Sequence, residues 1–125
     1  MKTRTFIKSI IAFIIFSSCA DVIENRTQIE ENYFVEKDPS GNFKTLYYDI
    51  GDENSIERIR NVKRVGHSKT FIVAETENGY YFIEKNKDKK YLNGDEIIGE
   101  PKTQKYFENW ITKNVDFKFD YYVEK

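Results

Sequence analysis

Asn78-Gly79 sits between two apolar runs, Thr70–Glu77 and Tyr80–Lys85, and no other feature limits the fold of this chain so tightly. Both residues tolerate the positive φ of a two-residue hairpin turn, so the spacing predicts an antiparallel hairpin. In that register Glu77 faces Tyr80 and Ala74 faces Ile83, with Thr76–Tyr81 and Ile72–Lys85 on the same side. Glu75–Phe82 and Val73–Glu84 fall on the other side. The first face is the more apolar and is assigned to the core, because side chains alternate strictly along a strand. A second turn at Gly66-His67-Ser68-Lys69 joins a strand over 57–65 to the same hairpin. It sets Arg60 opposite Glu75, Arg58 opposite Glu77 and Val62 opposite Val73. Both charge pairs then lie on the outward face, each contributing about 0.2–1 kcal/mol.

Upstream, Tyr33-Phe34-Val35-Glu36 reads as a short strand and Asp38-Pro39-Ser40-Gly41-Asn42 as a turn. The run 43–50 reads as a strand closed by Gly51-Asp52-Glu53-Asn54. Downstream, Asn86-Lys87-Asp88-Lys89-Lys90 reads as a solvated loop. After Pro101, the spacing of Tyr106, Phe107, Trp110 and Ile111 predicts a helix over about 102–114 that covers the apolar face of the sheet. Alternation from Phe117 to Tyr121 suggests a last strand. Aromatic residues make up 16% of the chain, nine of them tyrosines, which leans the composition towards strands. The expected fold class is α+β: an antiparallel β meander of about five strands with one C-terminal helix packed on one face.

The amino-terminal segment says where such a domain works. Lys2, Arg4 and Lys8 precede the apolar run 10–16, and Ser17-Ser18-Cys19 follows. A charged start, an apolar middle and small residues before a cut are the order of an export signal. The apolar stretch from Phe6 to Phe16 covers about 11 residues, too short for the roughly 20 a spanning helix needs. Residues 1–18 are therefore expected to be removed, 19–31 to form a flexible tether, and 32–125 to make a single α+β domain. With Lys2, Arg4 and Lys8 gone, 17 basic residues face 21 acidic ones, a net charge of −4. That balance argues against nucleic acid, whose binding needs a basic excess.

Phe16-Ser17-Ser18-Cys19 resembles the lipobox of bacterial lipoproteins, with Phe where that family more often has Leu. The resemblance implies a lipid on the Cys19 thiol and cleavage just before it. Ser18-Cys19-Ala20 is also a small-x-small pattern, which leaves open ordinary secretion with a cut after Ala20. Cys19 is the only cysteine, so the chain forms no internal disulfide. Val62-Lys63-Arg64-Val65-Gly66, Phe71-Ile72-Val73-Ala74 and Tyr80-Tyr81-Phe82-Ile83 together resemble a family of short bacterial lipoproteins of uncharacterised function. That resemblance implies an exported, lipid-anchored single domain and brings no catalytic residue with it.

Side-chain chemistry is sparse. His67 is the lone histidine, in a predicted exposed turn, which excludes histidine-based triads and multi-histidine metal sites. Asp49, Asp52 and Glu53 lack the spacing of a calcium loop. Asp95 and Glu96, adjacent in a strand, would point to opposite faces. Arg58, Arg60, Lys63, Arg64 and Lys69 form a local basic patch, a candidate for anionic headgroups that the predicted charge pairs largely neutralise. The tyrosine pairs 47–48, 80–81 and 121–122 each put one ring on either face of a strand. The outer rings, Tyr47, Tyr80 and Tyr122, form the candidate surface for a ligand or partner. The function expected is that of a non-catalytic envelope lipoprotein. It needs no cofactor or metal, is held to the periplasmic or extracellular face of a membrane through Cys19, and binds a partner protein. A glycan or small ligand held by exposed tyrosines is the alternative.

Overall fold

The computed structural model of the chain describes residues 26–89 and 92–123. Cys19, the expected signal segment and the first part of the expected tether lie outside them. The strands are β1 (Arg26–Glu30), β2 (Tyr33–Lys37), β3 (Lys44–Gly51), β4 (Asn54–Arg60), β5 (Arg64–His67), β6 (Phe71–Thr76), β7 (Gly79–Glu84) and β8 (Lys118–Tyr122). A 3₁₀ turn (Lys85–Lys87), a short helical turn, α1 (Gly94–Ile97), and one longer helix, α2 (Gln104–Lys113), complete the set among the described residues. All pairings between strands are antiparallel.

Antiparallel β structure with a C-terminal helix is what the sequence led us to expect, but the five-strand meander is not. Among the described residues eight strands form two four-stranded sheets, ordered β1-β2-β3-β4 and β7-β6-β5-β8. Asn61, with φ of 57°, divides the predicted strand over 57–65 in two. The left-handed backbone there sends β4 into the first sheet and β5 into the second. Residues Arg26–Glu30, expected in the tether, form the edge strand β1.

The two sheets face each other across the main core, built from Ile29, Tyr33, Val35, Leu46, Ile59, Val65, Ile72, Ala74 and Ile83. Each fully buried aliphatic side chain there contributes about 1.5–3 kcal/mol. A second cluster joins the outer face of the second sheet to α2, whose apolar stripe the sequence showed. The expectation that α2 covers the face of Ile72, Ala74 and Ile83 is therefore corrected. That face meets the other sheet, while α2 packs on Phe71, Val73, Tyr80 and Phe82. Uninterrupted apolar runs in β6 and β7 supply side chains to both faces, as strands buried on two sides must. Tyr80 stacks on Phe107 at 4.3 Å, and Trp110 meets Phe82 and Phe71 edge-on at 5.1 and 5.9 Å. Thr103 starts the helix by accepting from the Tyr106 N–H at 3.1 Å.

The central hairpin keeps the predicted faces with a shifted register. Thr76 pairs with Gly79, Glu75 with Tyr80, Ala74 with Tyr81 and Ile72 with Ile83. The turn residues are Glu77 and Asn78, because the Thr76 hydroxyl accepts the Asn78 N–H at 3.1 Å. Gly79, with φ of +128°, leaves room for the Lys102 carbonyl where a Cβ would stand only 2.5 Å away. Residue 102 closes that edge with two backbone bonds to Tyr80, of 2.9 and 2.7 Å. In β5, Arg64 rather than Arg60 faces Glu75, and Gly66 rather than Val62 faces Val73.

Candidate functional site

Arg58 is the residue the sequence reading misplaced furthest. Leu46 pairs with Ile59 and Tyr47 with Glu57, so Arg58 is the extra residue of a β-bulge. The bulge turns both Arg58 and Ile59 inward. Asp88 comes to meet Arg58 from the loop expected to be solvated, and both side chains are fully buried. The Nη2 group donates to Asp88 Oδ1 at 2.8 Å and Nε to Oδ2 at 3.2 Å. The guanidinium also donates to the carbonyls of Leu92 and Lys89, at 3.0 and 3.2 Å. Tyr33 completes the cluster, its hydroxyl donating to Asp88 Oδ2 at 2.6 Å. A buried ion pair needs this degree of saturation, since each charge has lost its water. Beside it, Lys85 holds the Glu30 carboxylate at 2.7 and 2.8 Å. Through these contacts the segment leaving β7 is fastened to β1, β2 and β4 of the opposite sheet.

Burial pushes the Tyr33 hydroxyl well above its ordinary pKa of 10.0, helped by its hydrogen bond to Asp88 and that carboxylate's charge. The folded state therefore holds this proton more tightly than the unfolded one. Its contribution is complete below pH 10 and is lost as the pH climbs beyond, by up to about 1.4 kcal/mol per pH unit. Urea midpoints followed through the alkaline range should fall, and Tyr33→Phe should remove this part of the slope. An unchanged slope in the variant would assign the alkaline loss to other groups.

β4 and β7 are edge strands of different sheets and do not pair, and residues from the 94–101 segment lie beside both. An open cleft of about 790 Å³ lies there. Ile59, Ile98 and the ring of Tyr81 supply apolar wall, while Arg60, Asn78 and Glu100 bring polar groups to it. Among the described residues, neither the Tyr81 hydroxyl nor the Asn78 side chain has a hydrogen-bond partner. A concave site with a partly apolar wall and a few uncommitted polar groups is suited to holding a ligand.

The three outer tyrosines are not brought together. Tyr47 lies on the outer face of the first sheet, stacked on Phe34 at 5.4 Å, with the Arg26 guanidinium 3.8 Å from the Phe34 ring centre. Tyr80 and Tyr122 share the outer face of the second sheet, with Glu75 and Arg64 between them in the same row. Tyr80 is only 3% exposed under α2, whereas Tyr122 is open. The sequence could not show that Tyr80 would be covered, because the helix was expected on the other face.

His67 lies in β5, not in an exposed turn, and its Nδ1 meets Asp120 Oδ2 of β8 at 2.6 Å. The pair ties an edge strand to its neighbour, and no nucleophile is in hydrogen-bond contact with it among the described residues. Asp49 caps the β3–β4 turn by accepting the Gly51 N–H at 2.9 Å, and Glu96 accepts the Asn93 N–H at 3.1 Å. Among the described residues no group of three histidine, cysteine or acidic side chains is placed to hold a metal ion. No helix among them is long and apolar enough to cross a membrane. No protein-family model matches the chain, and neither a curated protein nor a solved structure does.

Proposed function

We propose that this chain is a lipid-anchored, non-catalytic envelope protein, held at the membrane through Cys19, which binds a segment of a partner protein in the cleft between β4 and β7. The export pattern ahead of Cys19 supports the location, and membership of the short bacterial lipoproteins it resembles is part of the same proposal. The observation that carries the binding role is the cleft itself. It opens between the edge strands β4 and β7, with the 94–101 segment lining it as well, and Tyr81 and Asn78 have hydrogen bonds to offer. A glycan or small ligand is the second reading. It would use the same cleft, with the Tyr81 ring as a stacking surface, rather than Tyr47, Tyr80 and Tyr122 together.

Photo-crosslinking in intact cells tests the reading. A photoreactive residue at Asn78 or Gly99, both on the cleft, should capture a discrete envelope protein, and one at Asn109 on the exposed side of α2 should not. Tyr81→Ala should weaken the capture from Asn78. Equal capture from Asn109, or none from the cleft, removes the proposal.

A further inference from the structure

We propose that the end of the sandwich bearing the 38–43 turn rests against an anionic bilayer surface, an inference that takes the anchor at Cys19 from the reading above. Seven residue steps separate Cys19 from Arg26, where β1 begins. At about 3.3–3.6 Å per residue they reach no further than about 25 Å, whatever path they take. The eight residues of β3 alone are about 27 Å long. The leash is thus no longer than the domain is tall, so whichever end carries Arg26 is the end held near the headgroups.

Strand register identifies that end. Arg26 pairs with Glu36, Glu36 with Thr45 and Thr45 with Arg60, so one row crosses the whole first sheet. Lys37 and Lys44 flank the 38–43 turn just beyond this row. The Val62 N–H donates to the Lys44 carbonyl at 3.0 Å, and the Val123 N–H to the Lys63 carbonyl at 2.8 Å. Those two bonds bring the β4–β5 link and the end of β8 to the same place.

Two independent properties of this end fit an anionic lipid surface. The first is charge. Arg26, Lys37, Lys44, Arg60 and Lys63 gather here. Arg26 and Arg60 are engaged with Glu36 and Glu57 at 3.9 and 3.2 Å, both pairs open to solvent. Lys37, Lys44 and Lys63 have no ion pair among the described residues. Glu77, in the hairpin turn, and Asp38, bonded to Ser40 within the 38–43 turn at 2.7 Å, lie at this end too. The opposite end carries Glu31, Asp49, Asp52 and Glu53, with Lys69 beside Glu31 and Lys85 paired to Glu30. Leaving ion pairs aside, Lys37, Lys44 and Lys63 outnumber Asp38 and Glu77 at the near end, while Glu31, Asp49, Asp52 and Glu53 outnumber Lys69 at the far end, so the less acidic end lies towards the anchor. Each lysine near an anionic membrane strengthens attachment about fivefold.

The second property is apolar exposure. Five large hydrophobic residues stand open among the described residues, and three of them, Phe43, Tyr122 and Val123, are at this end, 38%, 57% and 48% exposed. Aromatic and aliphatic groups set among lysines are the combination that enters the headgroup boundary. An acidic protein partner would answer the charge but leaves the short tether without a role, so the membrane is the occupant the observations favour.

The test couples the chain beginning at Cys19, through that thiol, to a maleimide-headgroup lipid in nanodiscs doped with a gadolinium-chelating lipid. Amide signals are then read for paramagnetic broadening. With phosphatidylglycerol present, Gly41, Asn42, Phe43, Lys63 and Val123 should broaden at least about twofold more than Asp52, Glu53 and Asn86. The contrast should shrink to what the tether alone imposes in phosphatidylcholine, and shrink likewise in the surface variant K37E/K44E/K63E in either lipid. Equal broadening of the two ends in phosphatidylglycerol overturns the proposal. So does a contrast of undiminished size in phosphatidylcholine or in the triple variant, since tethering alone would then explain it. Chemical coupling makes the outcome independent of the cell's own lipidation. Failure of the anchor is read separately, as an unmodified Cys19 thiol in the mass spectrum of the native protein.

Discussion

Arg58→Leu should lower the unfolding free energy by about 3–5 kcal/mol, the cost of leaving a buried charge without its partner. In the variant the Asp88 carboxylate, with no exposed surface of its own, keeps only the Tyr33 hydroxyl. The Leu92 and Lys89 carbonyls lose their donors at the same time. Urea unfolding monitored by Trp110 fluorescence measures the loss directly. A charge that can neither be paired nor hydrated also predicts how rescue should work. Arg58→Met with Asp88→Leu and Tyr33→Phe replaces the whole cluster with apolar groups and should recover most of the stability, because the intact pair repays little more than its own desolvation. A single variant losing less than about 1 kcal/mol would mean that water reaches the site and that the pair is not the fastening described above.

That cluster also marks the limit of what the sequence could show. The faces of β6 and β7 were legible because alternation has period two, and a pairing error of two residues leaves every side chain on its own side. The turn moved by one residue because the Thr76 hydroxyl and the approach of Lys102, neither visible in Asn78-Gly79 itself, decide where the chain reverses. The α2 stripe was legible as a local period. Its resting place was not, since both faces of the second sheet are apolar and only the existence of the first sheet decides between them. Arg58 and Asp88 were illegible for a different reason. Thirty residues apart in the chain, they meet through a bulge in β4 and a loop whose lysines make it read as solvated. The cleft depends on the same long-range closure. The basic end could be read only in part, because Arg60 and Lys63 stood in one local patch while Arg26, Lys37 and Lys44 join them through register.

Gly66→Ala should destabilise the domain by about 3 kcal/mol, and the damage should be concentrated at β8. A Cβ on residue 66 would stand 2.2 Å from the Lys118 carbonyl oxygen, 2.6 Å from the Phe117 ring and 2.8 Å from the Phe119 Cα. Two of these three neighbours are backbone, so no rotamer change relieves the clash, and overpacking of this kind costs at the upper end of its usual range. Gly66 sits where the β5–β8 pairing shifts register between Val65–Tyr121 and Gly66–Phe119, so the strands approach closely at that step. Moving β8 away to admit the methyl would pull His67 from Asp120 and Arg64 from the Phe119 ring, which it meets at 4.1 Å. Amide exchange should therefore quicken first across Lys118–Tyr122, ahead of β2 and β3 in the other sheet. Gly99→Ala is the matched control, because nothing lies within 4 Å of a Cβ there. Its melting temperature should stay with the unmodified protein while that of Gly66→Ala falls by more than 10 °C, given the roughly 4–8 °C per kcal/mol expected of a domain this size. If both variants melt together, the close passage of β8 over Gly66 is not a feature of the folded chain, and the basic end proposed to meet the membrane loses the Val123 edge that helps to form it.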